Sequence, residues 1–249
     1  MDERHAHDPT FRTIRGRMRR FLLPWSVWFV FYALFNAITH RPILPWQDGI
    51  LGAVLAGPSI HLWYMPFMFL FLIVFDAVRR HVPGSIVFAG SAVLAMGFLA
   101  LTPEWREPSM RAGAPVAQYA QALSGALIGS FLAGYTRLPR WSVLALLAGL
   151  VAAESLALRY DGVGEPYLIG TAVGVVLASQ VLRRRLTANF EPLARCTLGI
   201  YFLHPLAIAV FDHFHVSPDL LVPIFAFTVC ALAVALGRAA APRLASLWS

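Results

Sequence analysis

The sequence predicts an all-α fold, a polytopic membrane helix bundle with about eight transmembrane helices and a short re-entrant or interfacial segment at 49–60. Hydrophobic residues make up 58% of the 249 residues and charged residues 13%, whereas soluble domains are about 45–50% apolar and about 25% charged. The apolar residues fall in runs of 17 to 21, which match a hydrocarbon core of about 30 Å. Backbone groups in lipid need partners within their own segment, so each run is predicted to be a helix.

Eight runs are long enough to be interpreted as spans. In order, they are 21–39, 61–78, 85–102, 116–136, 141–158, 166–182, 196–212 and 220–237. Residues 49–60 are apolar but only twelve long, a length that suits a re-entrant or interfacial piece better than a crossing. Residues 103–115 are the longest polar joint late in the chain and are predicted to be an outer loop. No linker or repeat divides the chain, so we expect a single transmembrane domain over 1–249 with an arginine-rich cytoplasmic start at 1–20.

All twenty basic residues are arginines, and they lie mainly at the ends of the apolar runs. With a cytoplasmic N-terminus, sixteen of them fall in predicted inner segments and four in outer loops, as the positive-inside rule requires. A ninth crossing at 49–60 would reverse this pattern, so both termini are predicted to be cytoplasmic. Topology therefore explains the net charge of +7, and no nucleic-acid partner is expected. Cys196 and Cys230 lie within apolar runs and predict no disulfide framework.

Two histidines lie where exposure to lipid would be costly, which makes them candidates for a functional site. His61 opens the second predicted span at its outer boundary, beside Trp63 and Tyr64. This group suits either an interfacial aromatic belt or a polar site between helices that faces an acceptor. His204 lies about 14 Å into its span by helical rise, and Pro205 after it leaves a backbone carbonyl without its helical donor. A structural role and a site-lining role both stay open for His204.

The other polar residues near the spans favour structural roles. Glu154 lies four residues from the outer end of its span, close enough to reach the interface. Asp76 lies near an inner end, where Arg79 or Arg80 can pair with it at i+3 or i+4. The cluster at 212–215 holds two histidines at i and i+2, which do not share a helix face, so no metal is expected.

Arginines are densest before the first span, in FRTIRGRMRRFLLPW. A positive-inside anchor explains part of this cluster. Six arginines precede that one span, however, which is more than orientation needs. Guanidinium groups hold phosphates bidentately, so a phosphorylated cytoplasmic ligand is the alternative.

Three stretches, RMRRFLLPWSVWFVFYALFN, IHLWYMPFMFL and LARCTLGIYFLHPL, resemble the acyltransferase family 3 membrane proteins in their order and spacing. The resemblance covers residues 11–237. Family members are bacterial multi-pass enzymes, many of which O-acetylate envelope polysaccharides or related glycans. The resemblance implies the bacterial inner membrane, a cytoplasmic acyl-CoA donor, with acetyl-CoA expected, and a sugar hydroxyl as the acceptor on the outer side.

The resemblance also implies site residues. Family members carry an RxxR motif on the cytoplasmic side before a span, and residues 17–20 match it as RMRR. Arg17 and Arg20 are therefore expected to contact acyl-CoA. The HLW and IYFLHP stretches hold the remaining candidates, which are catalytic His61 and His204 and substrate-binding Trp63 and Tyr201.

One family feature has no counterpart. Family enzymes have about ten core spans, and the first holds an essential histidine with Arg or Lys eleven positions earlier, the expected general base for the sugar hydroxyl. The residues eleven before the histidines that can be tested are Phe29, Ile50, Leu70, Leu193, Phe202 and His204. None is basic. The resemblance therefore implies that the family's first two spans are missing, and we expect little or no acyl transfer by these 249 residues unless His61 or His204 substitutes as the base.

Two functions of different classes follow. The first is a membrane O-acyltransferase, with acetyl expected, that uses cytoplasmic acyl-CoA to acylate a hydroxyl of a cell-envelope glycan or lipid-linked sugar. The alternative is a catalytically inactive or truncated family member that binds a glycan or a partner as a membrane subunit. Either would contact membrane lipids, and a homo-oligomer is a further expectation. A glycan or lipid transporter is less supported, because no paired carboxylates run along one span.

Overall fold

The computed structural model describes residues 14–44, 49–59, 61–113, 115–160, 167–168, 171–172, 196–214 and 222–241. These residues form helices and connecting turns with no β-strand among them, which confirms the predicted all-α class. In chain order the longer helices are α1 (Ile14–Ile38), α2 (Gly49–Ala56), α3 (Tyr64–His81), α4 (Gly84–Ala100), α5 (Thr102–Ala112), α6 (Val116–Gly134), α7 (Arg140–Ala157), α8 (Thr197–His213) and α9 (Val222–Ala240).

The chain forms two compact units. The terminal unit consists of Met1–Leu44, Gly57–Leu62 and Ala188–Ser249, and includes α1, α8 and α9. The middle unit consists of Pro45–Ala56 and Trp63–Thr187, and includes α2 to α7. The single domain expected from the sequence stays a prediction.

In the terminal unit, α8 and α9 pack closely because a glycine faces a branched side chain. A Cβ added at Gly199 would lie 2.6 Å from a methyl carbon of Val234, so only glycine permits this approach. Cys196, Ile200 and Cys230 surround the contact as a buried cluster. Both cysteines are free and buried, as expected for small core residues.

Aromatic side chains join α1 to α8 in the same unit. The Trp28 ring stacks on Phe202 with centroids 5.3 Å apart and planes 10° apart. The Tyr32 hydroxyl donates a hydrogen bond to the Phe202 carbonyl at 2.7 Å. Helix α1 contains a π-helical turn, Met18–Leu22, just before Pro24, which has no N–H to continue the α-helical pattern.

The core of the middle unit is built from small and aliphatic residues of α4, α6 and α7. Its buried members include Ala92, Ala95, Leu99, Leu127, Ile128, Phe131, Leu150, Ala153 and Ala157. Two glycines bring the helices together, because a Cβ at Gly134 would lie 2.1 Å from the Phe88 ring and one at Gly149 would lie 2.4 Å from Met96 Sδ. This unit is a densely packed frame.

Residues Thr102–Ala112, within the predicted outer loop at 103–115, form helix α5. The connection is therefore helical over most of its length, and its outer placement stays a prediction. A proline at the helix start and Glu104 in the first turn are local helix-start signals that outweigh the low hydropathy. Helix α5 leaves α4 at a bend of 77°. The Trp105 ring stacks on Phe98 at 4.7 Å and holds the bend.

Helices α1, α7 and α9 are each long and apolar enough to cross a membrane, and the bent pair α4–α5 adds a fourth if it counts as one span. Described helices overlap seven of the eight predicted spans, whereas 166–182 lies largely outside the described residues. The count of about eight therefore stays a prediction. Large apolar side chains are exposed on the helices, such as Ile38 at 78% and Trp141 at 75%, which is typical of a surface that faces lipid.

Candidate functional site

A short turn in the terminal unit carries the first candidate, His61. The turn begins at Gly57, whose φ of +78° lies in the left-handed region that glycine adopts readily. A Cβ at Gly57 would also lie 2.9 Å from Leu62 Cβ. The side-chain amide of Asn36 in α1 donates a hydrogen bond to the Pro58 carbonyl at 2.8 Å. A glycine and an amide therefore fix the backbone that positions His61.

The His61 ring is buried, with 8% of the residue exposed, and aromatic rings from α1 and α8 surround it. Its centroid lies 5.3 Å from Tyr32, 5.2 Å from Tyr201 and 5.4 Å from His204. The Tyr201 hydroxyl donates a hydrogen bond to the His61 carbonyl. Three predicted site residues, His61, Tyr201 and His204, are thus brought together.

The two ring nitrogens of His61 differ in their surroundings. Nδ1 lies 3.0 Å from the Ser59 hydroxyl. Nε2 is buried and has no hydrogen-bond partner among the described residues. A buried polar atom without a partner costs about 1–3 kcal/mol. Nε2 is therefore the atom of this ring whose hydrogen-bonding capacity is unused among the described residues.

The orientation of His204 follows from the proline after it. Pro205 lies inside α8 and has no N–H to donate to the Tyr201 carbonyl four residues earlier. His204 Nδ1 lies 2.7 Å from that carbonyl oxygen. Since a carbonyl can only accept, Nδ1 carries the hydrogen, and Nε2 of the neutral ring keeps a lone pair. The carbonyl that the sequence predicts to be unpaired thus selects the tautomer of His204.

Two residues of α1 line this cluster and escaped the sequence analysis. Trp28 is 8% exposed and Tyr32 is 4% exposed. The Trp28 Nε1 is buried without a partner among the described residues. The only signal in the sequence is their spacing of four, which places both on one helix face. The cluster therefore has aromatic walls and a buried His61 Nε2 with no partner among the described residues.

Trp63 begins the middle unit, where it contacts a different set of rings. Its centroid lies 6.2 Å from Tyr119 and 6.3 Å from Phe67. The Tyr119 hydroxyl is buried and has no partner within the described part of the chain. This group combines apolar ring faces with a buried hydroxyl whose hydrogen-bonding capacity is unused among the described residues.

Arg17 and Arg20 lie at the start of α1. Arg17 is half-buried and Arg20 is exposed, and the Arg20 guanidinium carbon lies 6.0 Å from the Phe21 ring. The π-helical turn Met18–Leu22 contains Arg20. Residues three apart share a face in an α-helix, but the wider π turn separates such positions further. To contact one ligand together, Arg17 and Arg20 would therefore depend on the reach of their long side chains as well as on their spacing in the chain.

Glu154 does not reach the interface, so that interpretation is wrong. It is 0% exposed, and the Thr171 hydroxyl donates a hydrogen bond to its Oε1 at 2.6 Å. Its Oε2 has no partner among the described residues. Glu154 lies on the face of α7 that also carries the buried Leu150 and Ala157, at the i, i+3 and i+4 spacing of one helix face.

Metal-binding groups of three or more His, Cys, Asp or Glu side chains do not occur among the described residues. His213 ends α8 and is exposed. The remainder of the 212–215 cluster is only partly described, since the Asp212 side chain and His215 lie outside the described residues.

A family model described as an acyltransferase domain matches residues 4–238. The match includes the arginine motif at 17–20, the His61 turn and all of α8. Searches of curated proteins and of solved structures gave no match.

Proposed function

The chain belongs to the acyltransferase family 3 membrane proteins, and from this premise we propose an O-acyltransferase of the bacterial inner membrane with both termini in the cytoplasm. It transfers an acyl group, expected to be acetyl, from cytoplasmic acyl-CoA to a hydroxyl of a cell-envelope glycan or lipid-linked sugar. One observation carries the proposal. His61 has a buried Nε2 without a partner among the described residues, beside a His204 whose Nδ1 is bound to a carbonyl.

His204 is the proposed general base. Its Nε2 lone pair accepts the proton of the sugar hydroxyl as the hydroxyl oxygen attacks the thioester carbonyl carbon. The new C–O bond forms, the C–S bond breaks, and the leaving CoA thiolate takes up the proton from the imidazolium. The hydrogen bond from Nδ1 to the Tyr201 carbonyl, 2.7 Å, keeps the ring in the tautomer that this step needs.

His61 is the proposed donor to the developing oxyanion. When the Ser59 hydroxyl donates to Nδ1, which lies 3.0 Å away, the hydrogen of the neutral ring resides on Nε2. That N–H has no partner among the described residues and is free to bind the thioester oxygen as negative charge develops. The rings of Trp28 and Tyr32 exclude water, which would otherwise hydrolyse the thioester.

Aromatic residues are proposed to contact the glycan. Sugar rings present apolar C–H faces that pack on aromatic rings, and their hydroxyls need hydrogen-bond partners. In the middle unit, Trp63 and Tyr119 offer both, because the Tyr119 hydroxyl is buried without a partner in the described residues. In the terminal unit, Tyr201 lies against the histidine pair.

Acyl transfer can be measured with radiolabelled acetyl-CoA and isolated envelope glycan. We expect His204→Ala to lower the rate by about 10²–10⁴, the usual contribution of a general base. His213→Ala is the matched control, since His213 lies on the same helix and is exposed, and its rate should equal that of the wild type. A His204→Ala enzyme with full activity contradicts the assigned base. A wild-type chain that binds glycan but transfers nothing supports the inactive membrane subunit.

Acyl-CoA binding is proposed to involve Arg17 and Arg20. Charge-assisted hydrogen bonds contribute about 1.5–3 kcal/mol each, so the double variant Arg17→Ala/Arg20→Ala should bind CoA at least about tenfold more weakly in detergent. Arg111→Ala is the control, because Arg111 already pairs with Glu107 at 3.2 Å. Unchanged CoA affinity in the double variant would reduce the cluster to a membrane-orientation signal.

A further inference from the structure

Two arginines of the middle unit converge on one aromatic ring. Arg79 lies in the last turn of α3, and Arg137 ends a short 3-10 turn after α6. Each guanidinium carbon lies 5.5 Å from the centroid of the Phe88 ring. The guanidinium carbons of Arg79 and Arg137 are therefore separated by at most twice that distance. Both residues are exposed. Two positive charges held this near each other favour an anion close to both.

An open apolar groove between α3, α4 and α6 lies beside this arginine pair. Its lining includes Phe71, Phe75, Val78, Ile86, Leu94 and Leu123. Ser91 is the one residue with a polar side chain among the described lining residues, and its hydroxyl donates to the Val87 carbonyl at 2.8 Å. The side chains of the lining therefore offer no free hydrogen-bond donor, and the lining suits a hydrocarbon chain.

The groove and the arginine pair are continuous. The Arg79 guanidinium carbon also lies 6.0 Å from the ring of Phe75, which lines the groove. Val87, another lining residue, directly precedes Phe88. The charged pair thus lies at one end of the groove, the end that the arginine distribution predicts to be cytoplasmic.

We propose that this surface binds one anionic phospholipid, with its phosphate between Arg79 and Arg137 and one acyl chain along the groove. The order of the groups favours a phospholipid over acyl-CoA. In a phospholipid a short glycerol joins the phosphate to the acyl chains, whereas a long polar pantetheine arm separates the phosphates of CoA from its acyl group. Here the apolar lining begins one residue from Arg79, at Val78. Cytoplasmic leaflets are rich in anionic lipids.

Native mass spectrometry of the full chain in detergent can test the headgroup. Phosphatidylglycerol and phosphatidylcholine with identical acyl chains are the probes. We expect the wild type to retain phosphatidylglycerol at least about tenfold better, and the variant Arg79→Ala/Arg137→Ala to lose that preference. Arg111→Ala should keep it. Equal retention of the two lipids by the wild type, or an unchanged preference in the double variant, would overturn the proposal.

A second variant tests the groove without touching the arginines. Gly90 lines the groove, and a Cβ there meets nothing within 4 Å. Gly90→Leu should therefore extend a side chain into the groove from a Cβ that meets no other atom, and lower phosphatidylglycerol retention several-fold. Gly97→Leu is the matched control, since Gly97 lies on the same helix, is equally open and is not part of the lining. Wild-type retention by Gly90→Leu, or full displacement of the lipid by millimolar inorganic phosphate, would reject the lipid as the occupant.

Discussion

The terminal unit and the middle unit bury different kinds of side chain. The interior of the terminal unit places His61, Tyr32 and Trp28 together, and three buried ring nitrogens of this unit, those of Trp25, Trp28 and His61, have no partner among the described residues. The interior of the middle unit is mainly alanine, leucine and glycine in close contact. Unpaired buried polar atoms reduce stability and persist where function needs them. Such atoms also occur in the middle unit, at Gln118, Tyr119, Ser124 and Glu154. What distinguishes the terminal unit is its histidine pair, with the ring centroids of His61 and His204 5.4 Å apart, and the proposed function places the chemistry at that pair.

The largest effect on stability is expected at Gly134, where the middle unit is tightest. A Cβ there would lie 2.1 Å from Phe88 Cγ, so Gly134→Ala forces the ring or the helix to move. Overpacking of this kind costs about 1–3 kcal/mol, and we expect the upper end because the Phe88 ring is buried, with 4% of the residue exposed. The apparent unfolding temperature in detergent should fall, while the acyl-transfer rate of the folded fraction stays near that of the wild type.

Gly129→Ala is the matched control for Gly134→Ala. Gly129 lies on the same helix, and a Cβ there meets nothing within 4 Å. Alanine is a better helix former than glycine by about 0.5–1 kcal/mol, so Gly129→Ala should leave the unfolding temperature unchanged or raise it. If both variants unfold at the same temperature, the close packing of α6 on α4 is not what stabilises the middle unit.

Much of the fold could be predicted because hydropathy governs it. Apolar runs of span length predict seven helices that the structure contains, and the short run at 49–60 contains a short helix, Gly49–Ala56. Helix α5 was missed because its sequence, TPEWREPSMRA, is polar. Its helix is specified by local start signals and by the contact of Trp105 with Phe98. Hydropathy alone does not detect such signals.

The candidate site was predictable only in part. The effect of Pro205 is local, so the sequence alone predicted that the backbone carbonyl four residues earlier lacks its helical donor. The meeting of His61 with His204 depends on tertiary packing between segments 143 residues apart in the chain. Tyr32 contributes to the site through a hydrogen bond from its hydroxyl to the backbone carbonyl of Phe202. The spacing of side chains along the sequence does not predict such a contact between distant helices.

Glu154 can contradict the placement of the chemistry in the terminal unit, since it is a buried carboxyl in the middle unit. Its Oε1 accepts a hydrogen bond from Thr171 at 2.6 Å, which glutamine can preserve. Glu154→Gln should therefore cost about 1–2 kcal/mol of stability through its buried amide and lower acyl transfer less than about tenfold. The measurements are thermal unfolding and the acetyl-transfer assay. A loss of about 10²-fold or more would move the general base from His204 to Glu154 and the chemistry to the middle unit.

The smallest effect is expected at Tyr32, where the hydroxyl supports the wall of the terminal unit. Tyr32→Phe removes the hydrogen bond to the Phe202 carbonyl, 2.7 Å, but keeps the ring that lies 5.3 Å from His61. The expected cost is about 1 kcal/mol of stability and a decrease in acyl transfer of only a few-fold, because both histidines keep their hydrogen bonds. Thr228→Ala is the control, since that exposed hydroxyl bonds within its own helix and should cost less. An acyl-transfer loss as large as that of His204→Ala would mean that the Tyr32 hydroxyl takes part in the reaction, and the terminal unit would then hold a third catalytic group.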